Sequence, residues 1–296
     1  MDKLIVIEGT TASGKSDLAV ALAERLGGEV VSADSRQVYR GLDLGTGKIT
    51  PEETRGIPHH LIDVTDPGRF FSLADYQPMA CEAIDGIIKR GRVPILCGGT
   101  GLYVDAVAEG YRLSDKKPDL EYRAELETYD TPRLYAMLLE IEPGWDGDGK
   151  NRNRVMRRLE KIRAGDLEPG GKDPRYRVLR LSCAYPRETL RERIDERLDR
   201  RFALGMTEEV DGLIKGGVDR EFLLGLGLEY RFITRYLMGE YAFPEMRELL
   251  STAIKQFSRR QMVWFRRHAD AHWLDMEADP AGEAGAIVKA FLDGPD

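Results

Sequence analysis

The first third of the chain alternates short apolar runs with longer amphipathic stretches. The short runs are mostly continuous, which is typical of strands buried on both faces of a parallel sheet. The longer stretches repeat apolar residues at helical spacing, so the pattern predicts an α/β fold whose sheet is flanked by helices. The predicted strands are residues 4–7, 29–33, 58–64, 93–97 and 177–183 with an edge strand at 271–275, and the first predicted helices are 17–26 and 72–90.

The middle of the chain changes character, because helical patterns separated by loops containing proline and glycine replace the earlier alternation. Segments at 113–118 and 169–174 bound this region. We therefore predict a core domain made of residues 1–112 and 176–296 and a helical insertion domain at 113–175. The helical patterns of the insertion lie at 120–129, 133–141 and 151–160, and later ones run from 186 to about 269 with breaks near 205, at 216–217 and at 225–227.

Residues 9–16 read GTTASGKS and lie between the first predicted strand and the first predicted helix. This spacing is typical of a phosphate-binding loop, because its glycines let backbone N–H groups curl around an anion at the positive end of the helix. The lysine of the motif reaches the phosphates, and the hydroxyl after it suits a Mg²⁺ ion. The sequence predicts binding of a polyphosphate without specifying which one. The predicted phosphate-binding residues are Gly9, Thr10, Thr11, Ala12, Ser13, Gly14, Lys15 and Ser16, with Ser16 also the predicted metal ligand.

Two further strands end in polar or glycine-rich segments that should face the same ligand. Asp34 follows the second strand, where a carboxylate is a general base, a metal ligand or a helix N-cap. Ser35 could supply the cap equally well, which leaves Asp34 free for chemistry. The fourth strand ends in Gly98, Gly99 and Thr100, where phosphoryl-transfer enzymes with this loop commonly place an aspartate that holds Mg²⁺.

An enzyme with these parts could hold a pyrophosphate as a leaving group instead of transferring a phosphoryl group. Lys15, the loop amides and Mg²⁺ would stabilise negative charge on the departing pyrophosphate. Asp34 would accept a proton from an attacking amine, and Thr100 would orient that amine.

The charge distribution is uneven, although the net charge of −7 argues superficially against a nucleic-acid partner. Residues 150–201 carry a net charge of +8 and residues 255–267 carry +5, so the remaining residues carry −20. A basic stripe on an acidic body is expected of a protein that binds a phosphate backbone. Solvated helices with i,i+4 ion pairs, which residues 187–197 resemble, are the alternative, and composition leaves both open.

Residues 255–267 also place aromatic side chains among arginines. Phe257, Gln261 and Trp264 share one face at helical spacing. Such aromatic residues can stack nucleic-acid bases, but packing of Trp264 and Phe265 in the core is the favoured interpretation.

The remaining features indicate a soluble protein of the cytoplasm. Cys81, Cys97 and Cys183 show neither metal-ligand spacing nor a disulfide pattern. The first strand begins almost at the N-terminus, which leaves no room for a signal peptide, and no apolar run approaches the ~18 residues of a membrane span. We expect a monomer with no membrane and no obligate protein partner.

Six motifs, in the same order along the chain, resemble those of the bacterial tRNA dimethylallyltransferases, also called tRNA isopentenyltransferases or the IPP transferase family. The resemblance covers nearly the whole chain. It implies a P-loop NTPase-like parallel sheet core flanked by helices, with a helical insertion domain that binds tRNA. The motifs are GTTASGKS (9–16), DSRQVYRGLDLGT (34–46), PHHLID (58–63), GGTGLY (98–103), RNRVMRRLE (152–160) and RRQMVWFR (259–266).

In that family dimethylallyl diphosphate is the donor, Mg²⁺ is the cofactor, and the acceptor is the N6 amine of the adenosine on the 3′ side of the anticodon. The resemblance implies that Asp34 is the general base and that Thr100 contacts the flipped-out adenosine. It also implies that the insertion and residues 255–267 bind the anticodon arm. The residues implied to contact tRNA are Asp34, Ser35, Arg36, Gln37, Thr100, Arg123, Asn153, Arg154, Val155, Met156 and Arg157.

Three other functions share some of these sequence features. A related transferase could use a free adenine nucleotide such as AMP as acceptor, although an arginine-rich insertion is not needed for a mononucleotide. A small-molecule kinase would use the loop for ATP, which the Gly-Gly-Thr strand end disfavours. A nucleotide-switched RNA-binding module would need a guanine-reading N-K-x-D motif, which the sequence lacks.

Overall fold

The computed structural model describes residues 1–114, 119–166 and 170–294. The chain divides into two compact units, one made of Met1–Gly110 with Asp173–Asp296 and the other of Tyr111–Lys172. The predicted insertion boundaries, residues 113 and 175, lie two and three residues from these divisions. Residues 115–118 and 167–169 of the segments predicted to bound the insertion lie outside the described residues.

The larger unit is built on a six-stranded sheet in which every pairing is parallel. The expected α/β architecture is therefore confirmed, with the first strand of the chain at the centre of the sheet. The spatial order is β3-β2-β4-β1-β5-β6. The strands are β1 (Lys3–Gly9), β2 (Gly28–Ser32), β3 (His59–His60), β4 (Val93–Gly98), β5 (Arg177–Ala184) and β6 (His272–Asp275).

One predicted strand is much shorter than expected. The predicted strand at 58–64 forms only at His59–His60, because Leu61 and Asp63 adopt positive φ angles of 62° and 58° that turn the chain out of the sheet. The backbone N–H of Asp63 donates instead to the carbonyl of Gln37, at 3.1 Å. Leu61 is buried although the chain at this position is not extended.

Helices cover both faces of the sheet, which explains why β1 is continuously apolar. Leu4 and Val6 belong to one buried cluster with residues of the second and third helices, and Ile5 and Ile7 belong to another with residues of the first and last helices. The helices of this unit are α1 (Lys15–Leu26), α2 (Leu73–Lys89), α3 (Gly101–Ala108), α7 (Arg187–Ala203), α8 (Met206–Lys215), α9 (Arg220–Leu226), α10 (Leu228–Leu237), α11 (Phe243–Phe265) and α12 (Pro280–Asp293).

The starts and breaks of most helices lie where the sequence predicts them. Ser72 caps α2 through a capping box with Asp75, and Pro78 lies inside that helix. The helical region after residue 186 breaks at the glycines expected, and α7 to α11 form a buried cluster of their own with residues 38–42. The final helix α12 was not predicted, because its proline, two glycines and four alanines give a weak apolar pattern.

The smaller unit contains α4 (Leu120–Glu127), α5 (Thr131–Ile141) and α6 (Arg152–Arg163). Each helix begins with a side-chain cap that accepts from the backbone N–H three residues later, from Asp119, Asp130 and Asn151 respectively. The helices pack around a small apolar cluster of their own. Its buried members are Leu126, Leu134, Leu138, Val155, Met156 and Leu159.

Among the described residues, no helix combines the length and apolar character that a membrane span requires. The three cysteines are buried and free. Burial raises the pKa of the Cys97 and Cys183 thiols to about 12, so both remain protonated at neutral pH.

Candidate active site

A cavity of about 790 Å³ opens at the carboxyl ends of the central strands. The glycine-rich loop after β1, the segment after β2 and the glycine turn after β4 meet there. Residues 43–50 and the facing sides of α7 and α11 complete its walls. This is the place where ligands bind in open parallel sheets.

The glycine-rich loop has the backbone conformation of an anion site. Ala12 and Gly14 have φ angles of 60° and 75°, a left-handed region that a non-glycine residue adopts only under constraint. Residues of negative φ alternate with these two, and such an alternation points successive N–H groups toward one centre at the start of α1. The Ser13 hydroxyl is buried there without a hydrogen-bond partner in the described structure. An oxyanion in the loop would provide the missing acceptor.

Cationic side chains surround this loop. The Lys15 ammonium donates to the carbonyl of Thr10 at 3.2 Å, and burial lowers its pKa while the nearby Arg197 lowers it further. The Arg193 guanidinium donates to the carbonyl of Ala12 at 3.0 Å. Burial, and then the neighbouring Arg201, lower the pKa of Arg197 to about 10. These positive charges are incompletely compensated, so a bound anion would stabilise them.

Asp34 and Thr100 are brought together, as the sequence predicts. Asp34 caps no helix in the described structure, because the residues after it form a turn in which its Oδ1 accepts from the N–H of Arg36 at 2.9 Å. The Thr100 hydroxyl accepts from the N–H of Ser35 at 3.1 Å and donates to the Ser35 hydroxyl at 3.4 Å. The segment after β2 and the turn after β4 are therefore fastened to each other. Both Asp34 and Thr100 line the cavity.

Helix α7 supplies residues that sequence reasoning missed. Residues 187–197 resemble a solvated helix with internal ion pairs, yet Arg193, Arg197 and the buried Arg201 all line the cavity. The signal available in the sequence was the i, i+4, i+8 spacing of these three arginines on one helical face. Glu188 and Arg191, on another face, form an exposed i,i+3 ion pair, where the solvated-helix interpretation expects i,i+4 pairs.

The cavity lining carries a net positive charge, because nine basic side chains outnumber six acidic ones. Within the described residues, six arginines that line it have no carboxylate oxygen within 4.0 Å, whereas the net charge of the chain is −7. A cavity with unpaired guanidinium groups favours a polyanionic ligand. The six are Arg36, Arg193, Arg197, Arg200, Arg231 and Arg260.

The wall at residues 43–47 is held by a carboxylate that the sequence did not single out. Glu209 on α8 accepts from the backbone N–H groups of Asp43, Leu44 and Gly45 at 2.6–2.9 Å, and from the Tyr230 hydroxyl at 2.7 Å. A Cβ on Gly45 would lie 2.3 Å from the Tyr230 ring, so only glycine fits. The chain is thereby fixed beside the cavity.

The same segment is tied to predicted site residues. The carbonyl of Gly47 accepts from Gln37 Nε2 and from the Arg197 guanidinium, each at 3.3 Å. The side chain of Lys48, 6% exposed, bridges Asp43 and Asp63 at 2.5 Å each. Asp43 and Asp63 belong to two of the motifs, so this lysine joins them in space.

Gln261 on helix α11 bridges two of the turns that line the cavity. Its Oε1 accepts from the N–H of Thr11 at 3.0 Å, and its Nε2 donates to the carbonyl of Gly99 at 2.8 Å. Phe265 is buried, which confirms that it packs in the core. Trp264 is half-buried: it lines the cavity, and its Nε1 donates to Asp105 at 2.8 Å.

A buried charge network lies behind Trp264. Asp105 and Glu8 are paired with Arg180 at 3.3 and 3.0 Å and with His268 at 3.0 Å each. Hydrogen bonds to Asp105 and Glu8 raise the pKa of His268 to about 9, so the imidazole is protonated at neutral pH. Glu8, Asp105 and His268 have the spacing of a metal site, but two cations already neutralise the two carboxylates.

The predicted tRNA-contacting residues of the insertion differ in exposure. Asn153 and Arg154 are exposed at the start of α6, whereas the side chains of Val155 and Met156 are buried in the apolar cluster and support the helix. Arg123 and Arg157 both lie beside the buried carboxylate of Glu160, at 3.3 and 3.2 Å.

The residues present fit a magnesium ion by their donor chemistry. The Ser16 hydroxyl and the Asp34 carboxylate both line the cavity, and oxygen atoms are the ligands Mg²⁺ prefers. The end of β4 adds no carboxylate, as the sequence indicates. One or two protein ligands are enough where phosphate oxygens complete the coordination.

Comparison with protein families agrees with this geometry. The IPP transferase family model matches residues 37–268, and the isopentenyl transferase model matches residues 2–66. Among curated proteins, tRNA dimethylallyltransferase 2 of Shewanella sediminis is 43% identical over 293 residues, which cover 96% of this chain and 97% of that protein. The protein of the same name from Pelobacter propionicus is 44% identical over 296 residues, covering 96% and 93%.

Solved structures are also similar. The full-length tRNA isopentenylpyrophosphate transferase of Bacillus halodurans matches with a TM-score of 0.77 and 37% identity, covering 99% of this chain and 97% of that one. A eukaryotic dimethylallyltransferase acting on tRNA, at 24% identity and a TM-score of 0.82, shares the fold. With a family model over most of the chain and curated relatives above 40% identity, the chain belongs to the IPP transferase family.

Proposed function

We propose that this protein transfers a dimethylallyl group from dimethylallyl diphosphate to the N6 amine of the adenosine on the 3′ side of the anticodon in tRNA. The observation that carries the proposal is the meeting of an anion-binding loop with Asp34 and Thr100, where β4 ends without a carboxylate. Family membership supplies the substrate class: the named curated relatives are tRNA dimethylallyltransferases. The proposal places the reaction in the cytoplasm and needs no protein partner.

The diphosphate end of the donor fits the loop and its cations. Its negative charge would be stabilised by hydrogen bonds from the N–H groups of the loop, the unpartnered Ser13 hydroxyl, Lys15 and Arg197. The charge on the diphosphate grows as the bond between C1 of the dimethylallyl group and oxygen breaks, so these groups stabilise the transition state more than the ground state. Ser16 would hold Mg²⁺, which supplies further charge neutralisation at the leaving group when bound.

The acceptor amine would lie between Asp34 and Thr100. Its nitrogen attacks C1 of the dimethylallyl group, the diphosphate leaves with the electron pair of the C1–O bond, and Asp34 takes the proton from nitrogen. The amine needs this help because its lone pair is delocalised into the purine ring. Since Asp34 Oδ1 already accepts from the N–H of Arg36, its position is fixed before substrate binds.

An adenine inside the duplex or stacked in a loop hides its amine, so the target base must leave the stack to enter the cavity. The unpaired arginines around the cavity would bind the phosphates on either side of that nucleotide. The exposed start of α6, with Asn153 and Arg154, offers a further contact for the RNA backbone.

The test is transfer of radiolabel from dimethylallyl diphosphate to unmodified tRNA that has adenosines at and after the third anticodon position. AMP is the parallel acceptor, and [γ-³²P]ATP without prenyl donor tests for kinase activity. Label on tRNA alone is expected. Label on AMP alone would assign the protein to the nucleotide-prenylating branch, and label transfer from ATP would overturn the proposal altogether.

A further inference from the structure

The rim of the cavity carries an aromatic side chain that the proposed chemistry does not use. Phe257 on α11 is 40% exposed and lines the cavity. The Arg260 guanidinium lies 5.7 Å from the centre of its ring. Isolated apolar side chains on a surface are common and carry no meaning by themselves. Phe257 differs from Val263 on the same helix, which is 69% exposed and does not line the cavity.

The position of Phe257 relative to the reaction centre is fixed by the helix that carries it. Gln261, one turn later on the same face, is hydrogen-bonded to Thr11 and to Gly99, the residue before Thr100. Four residues of helix span about 6 Å, so Phe257 lies about one nucleotide length from Gln261 along the cavity wall. Trp264, on the other side of Gln261, is held by a hydrogen bond to Asp105 and by the Arg267 guanidinium 3.8 Å from its ring centre.

The charges around Phe257 favour a nucleic acid as the occupant. Arg260 has no carboxylate within 4.0 Å among the described residues, and residues 255–267 contain five basic residues and no acidic one. An aromatic ring with an adjacent unpaired guanidinium is the pairing that stacks a base and binds its phosphate. A prenyl chain, in contrast, gains nothing from a guanidinium.

We propose that Phe257 and Arg260 form a stacking site for an unpaired base adjacent to the adenosine that enters the cavity. This inference rests on the proposed function. Flipping the target base removes a stacking partner from its neighbour, and the Phe257 ring replaces that partner at the rim. The site would accept any base, because every base has a π face, so it contributes affinity and position without selecting a sequence.

The experiment measures transfer to a chemically synthesised anticodon stem-loop with the full-length protein. Phe257→Ala should raise the KM for the RNA by about fivefold or more. The KM for dimethylallyl diphosphate should not change. Phe257→Tyr should restore the wild-type KM, because the tyrosine ring stacks equally well. Phe243→Ala is the control for removing an aromatic side chain of the same 40% exposure from the same helix; Phe243 packs against Phe202 and Tyr236 and does not line the cavity.

A double-mutant cycle identifies the base. Each loop nucleotide flanking the target is replaced in turn by an abasic residue, and the effect of Phe257→Ala is remeasured. At the stacked position the abasic RNA should bind the wild type and the variant equally. Full additivity at every flanking position would overturn the stacking site, and so would an increase in the KM for dimethylallyl diphosphate alone.

If the wild-type protein modifies no RNA at all, the proposed function is wrong and the stacking site with it. If the wild type is active and Phe257→Ala behaves like Phe243→Ala, only the stacking site is wrong. Thermal unfolding of both variants separates a loss of fold from a loss of binding.

Discussion

The side-chain amide of Gln261 binds Thr11 through its oxygen and Gly99 through its nitrogen, so one residue near the end of α11 spans the two glycine-rich turns of the site. The two turns follow β1 and β4, neighbouring strands in the sheet, and each contributes backbone atoms to the cavity. The contact is made 250 residues away from Thr11 along the chain. It joins the glycine-rich loop after β1 to the turn that carries Thr100.

Replacing Gln261 by leucine should therefore weaken diphosphate binding. The Thr11 N–H and the buried Gly99 carbonyl would lose their partners, at a cost of about 1–3 kcal/mol. We expect a higher KM for dimethylallyl diphosphate together with a lower kcat. Gln256→Leu, an exposed glutamine on the same helix, is the control. Steady-state kinetics of both variants would check this, and equal behaviour would contradict a role for Gln261 at the loop.

Asp34→Asn should reduce kcat by about 10²–10⁴-fold, the usual contribution of a general base. The amide oxygen can still accept from the N–H of Arg36, so the local turn should survive. The tRNA affinity should remain near that of the wild type. Single-turnover transfer and filter binding measure the two quantities separately. A parallel loss of affinity and rate would instead make Asp34 a residue that anchors tRNA.

Glu209→Ala should loosen residues 43–47, because three backbone N–H groups and the Tyr230 hydroxyl lose one shared acceptor. Hydrogen exchange at the amides of Asp43, Leu44 and Gly45 should accelerate. The free energy of unfolding should fall by about 2–4 kcal/mol. The adjacent exposed Glu208→Ala supplies the control. Unchanged exchange at these three amides would show that the carboxylate does not hold the segment.

Stability should decrease on the alkaline side through His268. Its pKa in the folded protein is about 9, above the value near 6.5 expected when unfolded, so folding binds a proton between these values. The contribution is fully present below pH 6.5 and is lost as pH rises through 9, and it amounts to at most about 3 kcal/mol. Urea unfolding at pH 6.5 and 9.5 measures the loss. His268→Gln should flatten that difference; an equally steep profile would assign it to other groups.

Binding of tRNA should weaken steeply with salt, because the arginines that line the cavity would displace counterions from phosphates. With several phosphate contacts, affinity should fall by at least about tenfold between 50 and 200 mM salt. Arg260→Met and Arg154→Met should each lower the slope of log K against log salt by about one. A flat response would contradict the idea that the cationic surface binds RNA.

Much of this site could be predicted from the sequence because its parts are local. The phosphate loop is one uninterrupted motif between a strand and a helix, and Asp34 and Thr100 follow strands whose ends must meet. The residues that were missed act across long distances in the chain. Nothing in the local pattern around Glu209 or Gln261 shows that their side chains bind backbone groups more than 150 residues away.

Arg197 was missed for a different reason. It lies in a run of alternating charges, which in isolation is typical of a solvated helix. Only the fold decides that its face of α7 meets the cavity while Arg191 meets solvent. Helix α12 likewise depends on packing of its buried face, and the early end of β3 depends on the backbone conformation of the residues after it; composition indicates neither.

Because β1 lies between β4 and β5 in the sheet, it cannot complete both of its strand pairings until the ribosome has translated β5. Its neighbours β4 and β5 end at residues 98 and 184, and the whole helical insertion is translated between them. At about 5–20 residues per second this interval lasts roughly 4–17 s. Throughout it the most apolar strand of the chain has one unpaired edge, which is the kind of surface that associates with other chains. That edge of β1 stays open to association until β5 has been translated, so the length of the segment between β4 and β5 sets how long it is exposed.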